Sequence, residues 1–231
     1  MQATEIDLVI PVLNPPSGWA AQTSDNLARL VDKLGEPVHL VISNDGSSDE
    51  SEIKLLQDRL PQTTVVSSAK NRGKGHALRL GMKRSTAKYA IFTDADFPYE
   101  IESMVRVIVA LKRGADVALG HRQQNYYNNV PRFRRDLSEA FRFVLRSLLR
   151  FPITDTQCGL KGMNAKGREV FLKTNTDRFL VDMEFIKLAL NTPGLVVETV
   201  DVNLRDGVKF SSMGPGVLLR EILNFVRIMF R

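Results

Sequence analysis

Two aspartates one residue apart, Asp94 and Asp96, follow directly on an apolar run that ends at Thr93. Carboxylates this close repel each other unless a cation or a proton lies between them. Hard oxygen donors suit Mg²⁺ or Mn²⁺, ions that keep open coordination positions and can neutralise a diphosphate so that it leaves without proton transfer. Taken alone, the pair reads more readily as a solvated acidic turn capping the helix that begins near Tyr99. The turn Asn44-Asp45-Gly46-Ser47-Ser48-Asp49 offers side-chain acceptors to a ribose hydroxyl or a base N–H, or is an ordinary loop with a helix cap. In Asn71-Arg72-Gly73-Lys74-Gly75, two glycines that admit close backbone approach stand beside basic side chains at a predicted helix N-terminus, a setting for phosphate. It is not a Walker A loop, because the upstream glycine spacing and a Ser or Thr after Lys74 are missing.

The elements that must position these residues alternate. Short β-rich runs at Ile6–Val12, Val38–Asn44, Thr63–Ser67, Tyr89–Thr93 and Asp116–Gly120 are interleaved with helical segments near Asn26–Leu34, Glu50–Leu60, Lys74–Ser85 and Glu100–Arg113. Ser48 or Asp49 is placed to cap the second helix. The pattern predicts an α/β fold with a Rossmann-like, mainly parallel central sheet flanked by helices. Ligand sites in such sheets gather beyond the carboxyl ends of the strands. That rule brings the loops 13–17, 45–49, 70–75 and 94–98 to one rim. Beyond them the reading gives a basic, aromatic helix at Arg132–Arg150, a Gly-rich segment at Asp155–Gly167, a helix at Val181–Leu190, a strand at Val196–Val202 and a terminal helix.

With 231 residues, of which 43% are hydrophobic, the chain is long enough for one well-buried domain. The lone Cys158 excludes an intrachain disulfide and a Cys-cluster zinc site, and the scattered His39, His76 and His121 offer no pair at helical ligand spacing. A net charge of +6 favours an anionic partner. No apolar run approaches the ~18–20 residues that cross a bilayer, and the first residues lack the pattern of a signal peptide. The expectation is a soluble or peripheral protein on the cytoplasmic side.

Eight motifs occur in order along nearly the whole chain: Val9-Ile-Pro-Val-Leu-Asn14, Asn44–Asp49, Asn71-Arg-Gly-Lys-Gly-His-Ala-Leu78, Thr93-Asp-Ala-Asp96, Gly120-His-Arg122, Asp155-Thr-Gln-Cys-Gly-Leu-Lys161, Asp182-Met-Glu184 and Asn203–Ser211. Together they resemble family 2 glycosyltransferases of the GT-A fold, in particular the dolichyl-phosphate glucose and mannose synthases. The resemblance implies an enzyme moving a hexose of glucose or mannose type from a GDP- or UDP-sugar to a polyprenyl phosphate, with inversion and with Mg²⁺ or Mn²⁺. It implies that Pro11 and Asp45 lie beside the nucleoside and that Asp94 and Asp96 bind metal and diphosphate. Arg122 and Arg135 would then meet phosphates, and Asp155 and Gln157 the reacting sugar. Asp182 matches the general base of relatives with hydroxyl acceptors, while Arg205 and Lys209 fall in the late basic loop. Lys74, Asn14 and Asn44 belong to the matching substrate motifs, although the family's Asn-Glu is Asn14-Pro15 here and Asn44 replaces an aspartate. Phe97-Pro98 stand where mannosyl members often carry a further polar metal contact.

Arg142, Arg146 and Arg150 recur at four-residue intervals among Phe and Leu, and Arg220, Asn224, Arg227 and Arg231 form a similar stripe in 217–231. Two helices of this kind suit an anionic membrane surface, or equally a core or subunit contact. The division expected is a catalytic domain over 1–212 and a C-terminal amphipathic helix over 213–231. A phosphate acceptor is already a nucleophile and needs no strong base. Two alternatives stand: the same fold and donor with a saccharide or protein hydroxyl as acceptor and Asp182 as base, and a non-catalytic, membrane-associated nucleotide-binding protein, for which Asn14-Pro15 and Asn44 speak. Nucleic acid is not expected as a partner, since the basic residues lie on apolar-faced helices.

Overall fold

A computed structural model describes residues 4–122 and 155–207. Arg135, Lys209, the helices expected at 132–150 and 217–231, and the division at 212 lie outside the described residues.

The elements run β1 (Ile6–Val12), α1 (Trp19–Leu34), β2 (Val38–Asn44), α2 (Ser51–Arg59), β3 (Thr64–Ser67), α3 (Lys74–Arg84), β4 (Tyr89–Phe92), α4 (Ile101–Lys112), β5 (Val117–Arg122), β6 (Lys161–Asn164), α5 (Ala165–Phe171), α6 (Val181–Leu190) and β7 (Val197–Val202). The strands form one seven-stranded sheet in the order β3-β2-β1-β4-β6-β5-β7. Every neighbour pair is parallel except the two made by β6, which runs antiparallel between β4 and β5. The expected α/β fold with a mainly parallel sheet is the one observed.

The central strand explains the layering. The apolar run of β1 is buried on both faces, as parallel strands covered on two sides must be. Leu8, Ile10 and Val12 join Trp19 and Leu30 of α1 and Met104 and Ile108 of α4 in one core. Val9, from the opposite face, joins Leu78 and Met82 of α3 and Phe171 and Phe185 in the other. The alternation of a strand's side chains therefore builds a three-layer α/β/α sandwich.

Four elements depart from the sequence reading. Helix α1 begins at Trp19, not Asn26, because Gly18 turns into it in the left-handed region and Trp19 Nε1 anchors it by donating to Ala95 O at 2.9 Å. Strand β6 lies within the segment read as Gly-rich and helix α5 begins in it; the four residues of β6 are too short to show a period, and only pairing with β4 and β5 makes them a strand. Helix α2 starts with Glu50 at its cap position and no side-chain cap bond, although Asp49 Oδ1 does accept from Ser51 N at 2.9 Å.

At the rim away from the ligand loops, buried Asp7 fastens the start of β4. Its Oδ2 accepts from Ser85 Oγ (2.6 Å), Thr86 N (2.9 Å) and Ala87 N (3.0 Å), and its Oδ1 lies 2.8 Å from His39 Nδ1. Among the described residues no helix is long and apolar enough to cross a membrane.

Candidate active site

The loops leaving β1 and β2 are tied to each other before they meet any ligand. Asn14, at φ 46°, accepts from Ser48 N at 2.8 Å, and its own N–H donates to Ser47 Oγ at 2.8 Å. Asn44 is fully buried; its amide donates to Glu50 Oε1 (2.7 Å) and Ser67 Oγ (3.3 Å) and accepts from Ser47 N (2.9 Å). Gly46 completes the turn at φ 78°, where a β-carbon would come within 2.5 Å of the Lys70 carbonyl carbon. Both asparagines are engaged between the two loops, beside a cleft lined by Pro11, Asp45, Lys74 and Asp94 among others.

Asp45 ties this turn to the next loop. Its carboxylate accepts from Arg72 N at 3.1 Å and from Gly73 N at 2.6 Å. A protein carboxylate thus takes backbone donors at the start of α3 that were read as a phosphate cradle, filling the place favoured for an anion at a helix N-terminus. What this segment turns toward the cleft is the ammonium of Lys74.

Lys74 Nζ lies 2.7 Å from Asp94 Oδ1 and 3.3 Å from Asp182 Oδ2. On the far side of Asp182, fully buried Lys161 reaches Oδ1 at 2.7 Å and also donates to Cys158 O. Four side chains from three elements and the β4 loop therefore alternate in charge: Lys161, Asp182, Lys74, Asp94. Burial alone would raise the Asp182 carboxyl, but Lys161 and Lys74 more than offset it and hold it below the ordinary carboxylate range. Burial would likewise lower Lys74, yet Asp182 and Asp94 outweigh it and push the ammonium above its ordinary value.

Asp96 behaves oppositely. Its carboxyl is raised above the usual range, first by burial and then by the charge of Asp94. A carboxylate made costly by burial and by a neighbouring carboxylate is one that a cation relieves. Among the described residues no third His, Cys, Asp or Glu completes a ligand cluster, so the pair fits an ion that takes its remaining ligands from elsewhere. The loop is firmly seated: Arg205 Nη2 donates to Asp96 O at 2.7 Å and Arg205 N to Pro98 O at 3.0 Å. Phe97, at φ 48° and buried, enters the core and so cannot supply the polar contact seen in some relatives of the motif.

Arg122 and Asp155 hold each other. Arg122 donates from N and Nε to Oδ2 at 2.8 and 2.9 Å and from Nη2 to Oδ1 at 2.5 Å. Burial would raise the Asp155 carboxyl, but its bonds to Arg122 keep it low. Gln157 Nε2 is buried without a hydrogen-bond partner among the described residues, and Tyr99 Oη accepts from Gly159 N at 2.7 Å.

Pro11, Asp45, Lys74 and Asp94, all singled out in the sequence, share one cleft of about 270 Å³. Asp182 stands behind Lys74, and Arg205 braces Asp96 from the side. Two residues not singled out complete the arrangement: Lys161, whose burial no local pattern signals, and Phe179, 40% exposed at the cleft beside Leu13. The chemistry available is binding of an anionic, partly apolar ligand against a carboxylate pair.

A family model described as glycosyl transferase family 2 matches residues 7–171. The chain is 24% identical over 250 residues to dolichyl-phosphate beta-glucosyltransferase of Saccharomyces cerevisiae, an alignment covering 97% of this chain and 75% of the yeast protein. It is 27% identical over 205 residues to the Drosophila melanogaster protein of the same name, covering 81% of this chain and 63% of that one. In fold it is similar to glucosyl-3-phosphoglycerate synthase from Mycobacterium tuberculosis, solved with Mn²⁺ and uridine-diphosphate-glucose. There the TM-score is 0.67 at 18% identity, over 98% of this chain and 79% of the other.

Proposed function

The chain belongs to glycosyl transferase family 2 and is a glycosyltransferase, and we propose that it moves a hexose of glucose or mannose type from a GDP- or UDP-sugar to a polyprenyl phosphate. The observation that carries the donor side is the common cleft of Pro11, Asp45, Lys74 and Asp94 at the carboxyl rim of the sheet. Pro11 and Asp45 border the nucleoside there, and Lys74 faces the diphosphate. Asp94 and Asp96 hold a divalent cation of the Mg²⁺ or Mn²⁺ kind, as the fold neighbour solved with Mn²⁺ suggests. That ion, when bound, supplies charge neutralisation to the leaving diphosphate.

The acceptor side rests on Asp182. A general base needs an accessible lone pair and a carboxyl tuned toward neutral pH. Asp182 is 2% exposed, engaged by two ammoniums, and held low. Such a residue does not take a proton from a hydroxyl, which supports an acceptor whose oxygen is already ionised. The relatives named for dolichyl phosphate point to the same acceptor class. In-line attack by a phosphate oxygen on the anomeric carbon then forms the new C–O bond as the bond to the diphosphate breaks, with inversion. Arg122, Arg135 and Lys209 are the cations proposed to meet the acceptor phosphate, with the protein peripheral at an anionic membrane face.

The test is incubation with Mn²⁺ or Mg²⁺, a panel of nucleotide sugars and a short polyprenyl phosphate. Glycolipid should form with one donor and vanish in Asp96→Ala. Transfer to a free saccharide instead, abolished by Asp182→Asn, would establish the hydroxyl-acceptor reading and refute this one.

A further inference from the structure

The alternating row of charges has one member out of place for a simple metal site. Lys74 Nζ sits 2.7 Å from Asp94 Oδ1, where a cation bound by Asp94 would also have to stand. We propose that Lys74 is a built-in competitor of the divalent cation at Asp94, and that Asp182, anchored by Lys161, is the positioning residue that sets how strongly it competes. This rests on the reading that Asp94 and Asp96 hold such an ion.

The charges make the argument. Lys161 and Lys74 contribute two positive charges, Asp182 and Asp94 two negative ones, and these cancel along a chain with contacts of 2.7, 3.3 and 2.7 Å. Asp96, beside the row, has no ammonium in salt-bridge contact among the described residues, and Arg205, whose guanidinium bonds its carbonyl oxygen, weakens its field further. A site with so little net charge draws a divalent ion from water poorly, because the ion's hydration must be replaced. An arriving diphosphate alters the balance by bringing its own anionic oxygens. Lys74 need not leave the site when Asp94 turns to the ion. Its ammonium carries three donors, and Asp182, buried and fixed from behind by Lys161, keeps hold of one of them. The remaining donors are then free for the diphosphate. The row thus makes the cation arrive with the donor and not before it.

The experiment measures Mn²⁺ affinity by electron paramagnetic resonance, with and without uridine diphosphate, on protein shown folded by its thermal transition. Lys74→Met should tighten Mn²⁺ binding without nucleotide by about tenfold, the scale of one close charge pair. Asp182→Asn should weaken it several-fold, since Lys74 then rests wholly on Asp94. A merely structural role would lower affinity in both variants. Equal or weaker binding in Lys74→Met overturns the proposal, and this variant decides alone should Asp182→Asn fail to fold. If Mn²⁺ binding survives Asp96→Ala, the metal reading itself falls and takes the proposal with it. If binding is lost there while Lys74→Met matches the unaltered protein, only the competition is refuted.

Discussion

Gly159 lies so close against the carboxylate of Asp94 that a β-carbon there would come within 2.0 Å of Oδ2. The atom that must give way is the end of a side chain, so the fold yields at little cost while the carboxylate is driven from its place. Gly159→Ala should therefore lower Mn²⁺ affinity and transfer activity at least tenfold, while the thermal midpoint falls by only about 2–4 °C. A variant that keeps full metal affinity would show that Asp94 does not act from the position seen here.

The bidentate pair of Arg122 and Asp155 is buried at its carboxylate end and part-buried at its guanidinium. Removing Asp155 takes its carboxylate from a part-buried guanidinium, a loss that in fully buried pairs reaches about 3–5 kcal/mol. Asp155→Ala is expected to lose stability on that scale in urea denaturation, and Arg122→Lys a smaller part of it, because an ammonium cannot reproduce the fork. A loss below about 1 kcal/mol in Asp155→Ala would mark the pair as exposed to water in solution.

Acid should act through the same carboxylates. Asp155 and Asp182 are both held below their ordinary value of 3.8 in the folded chain. A group depressed on folding contributes stability that is fully present above its unfolded value and is lost as pH falls through the folded one. Stability should thus drop as pH falls below about 3.8, and Asp155→Asn, though less stable at pH 7, should show a shallower acid limb. Parallel limbs in urea titrations across that range would contradict this.

Asp7 provides a site-independent control. Asp7→Ala leaves the N–H groups of Thr86 and Ala87 and the hydroxyl of Ser85 without their acceptor, a loss of roughly 2–4 kcal/mol. Because these groups lie at the rim opposite the cleft, Mn²⁺ affinity of the folded variant at low temperature should match that of the unaltered chain.

The parts legible in the sequence are those encoded locally. The apolar runs of β1, β2 and β4 announce buried parallel strands, and the rule that ligands gather at carboxyl ends brings Pro11, Asp45, Lys74 and Asp94 to one rim, where they share a cleft. Asp94 and Asp96 are recognisable because repulsion between adjacent carboxylates is itself a local property. The rest depends on partners far apart in the chain. That Ser48, Glu50 and Ser67 engage the side chains of Asn14 and Asn44 is not legible locally. Nor is the flanking of Asp182 by Lys161 and Lys74, 21 and 108 residues away. Strand β6 is a strand by virtue of its antiparallel pairing with β4 and β5. Sequence determined which chemical groups stand at the rim of this sheet; only the tertiary structure decided which of them are already satisfied by the protein, because the charge and hydrogen-bonding state of a side chain is fixed by what packing brings beside it.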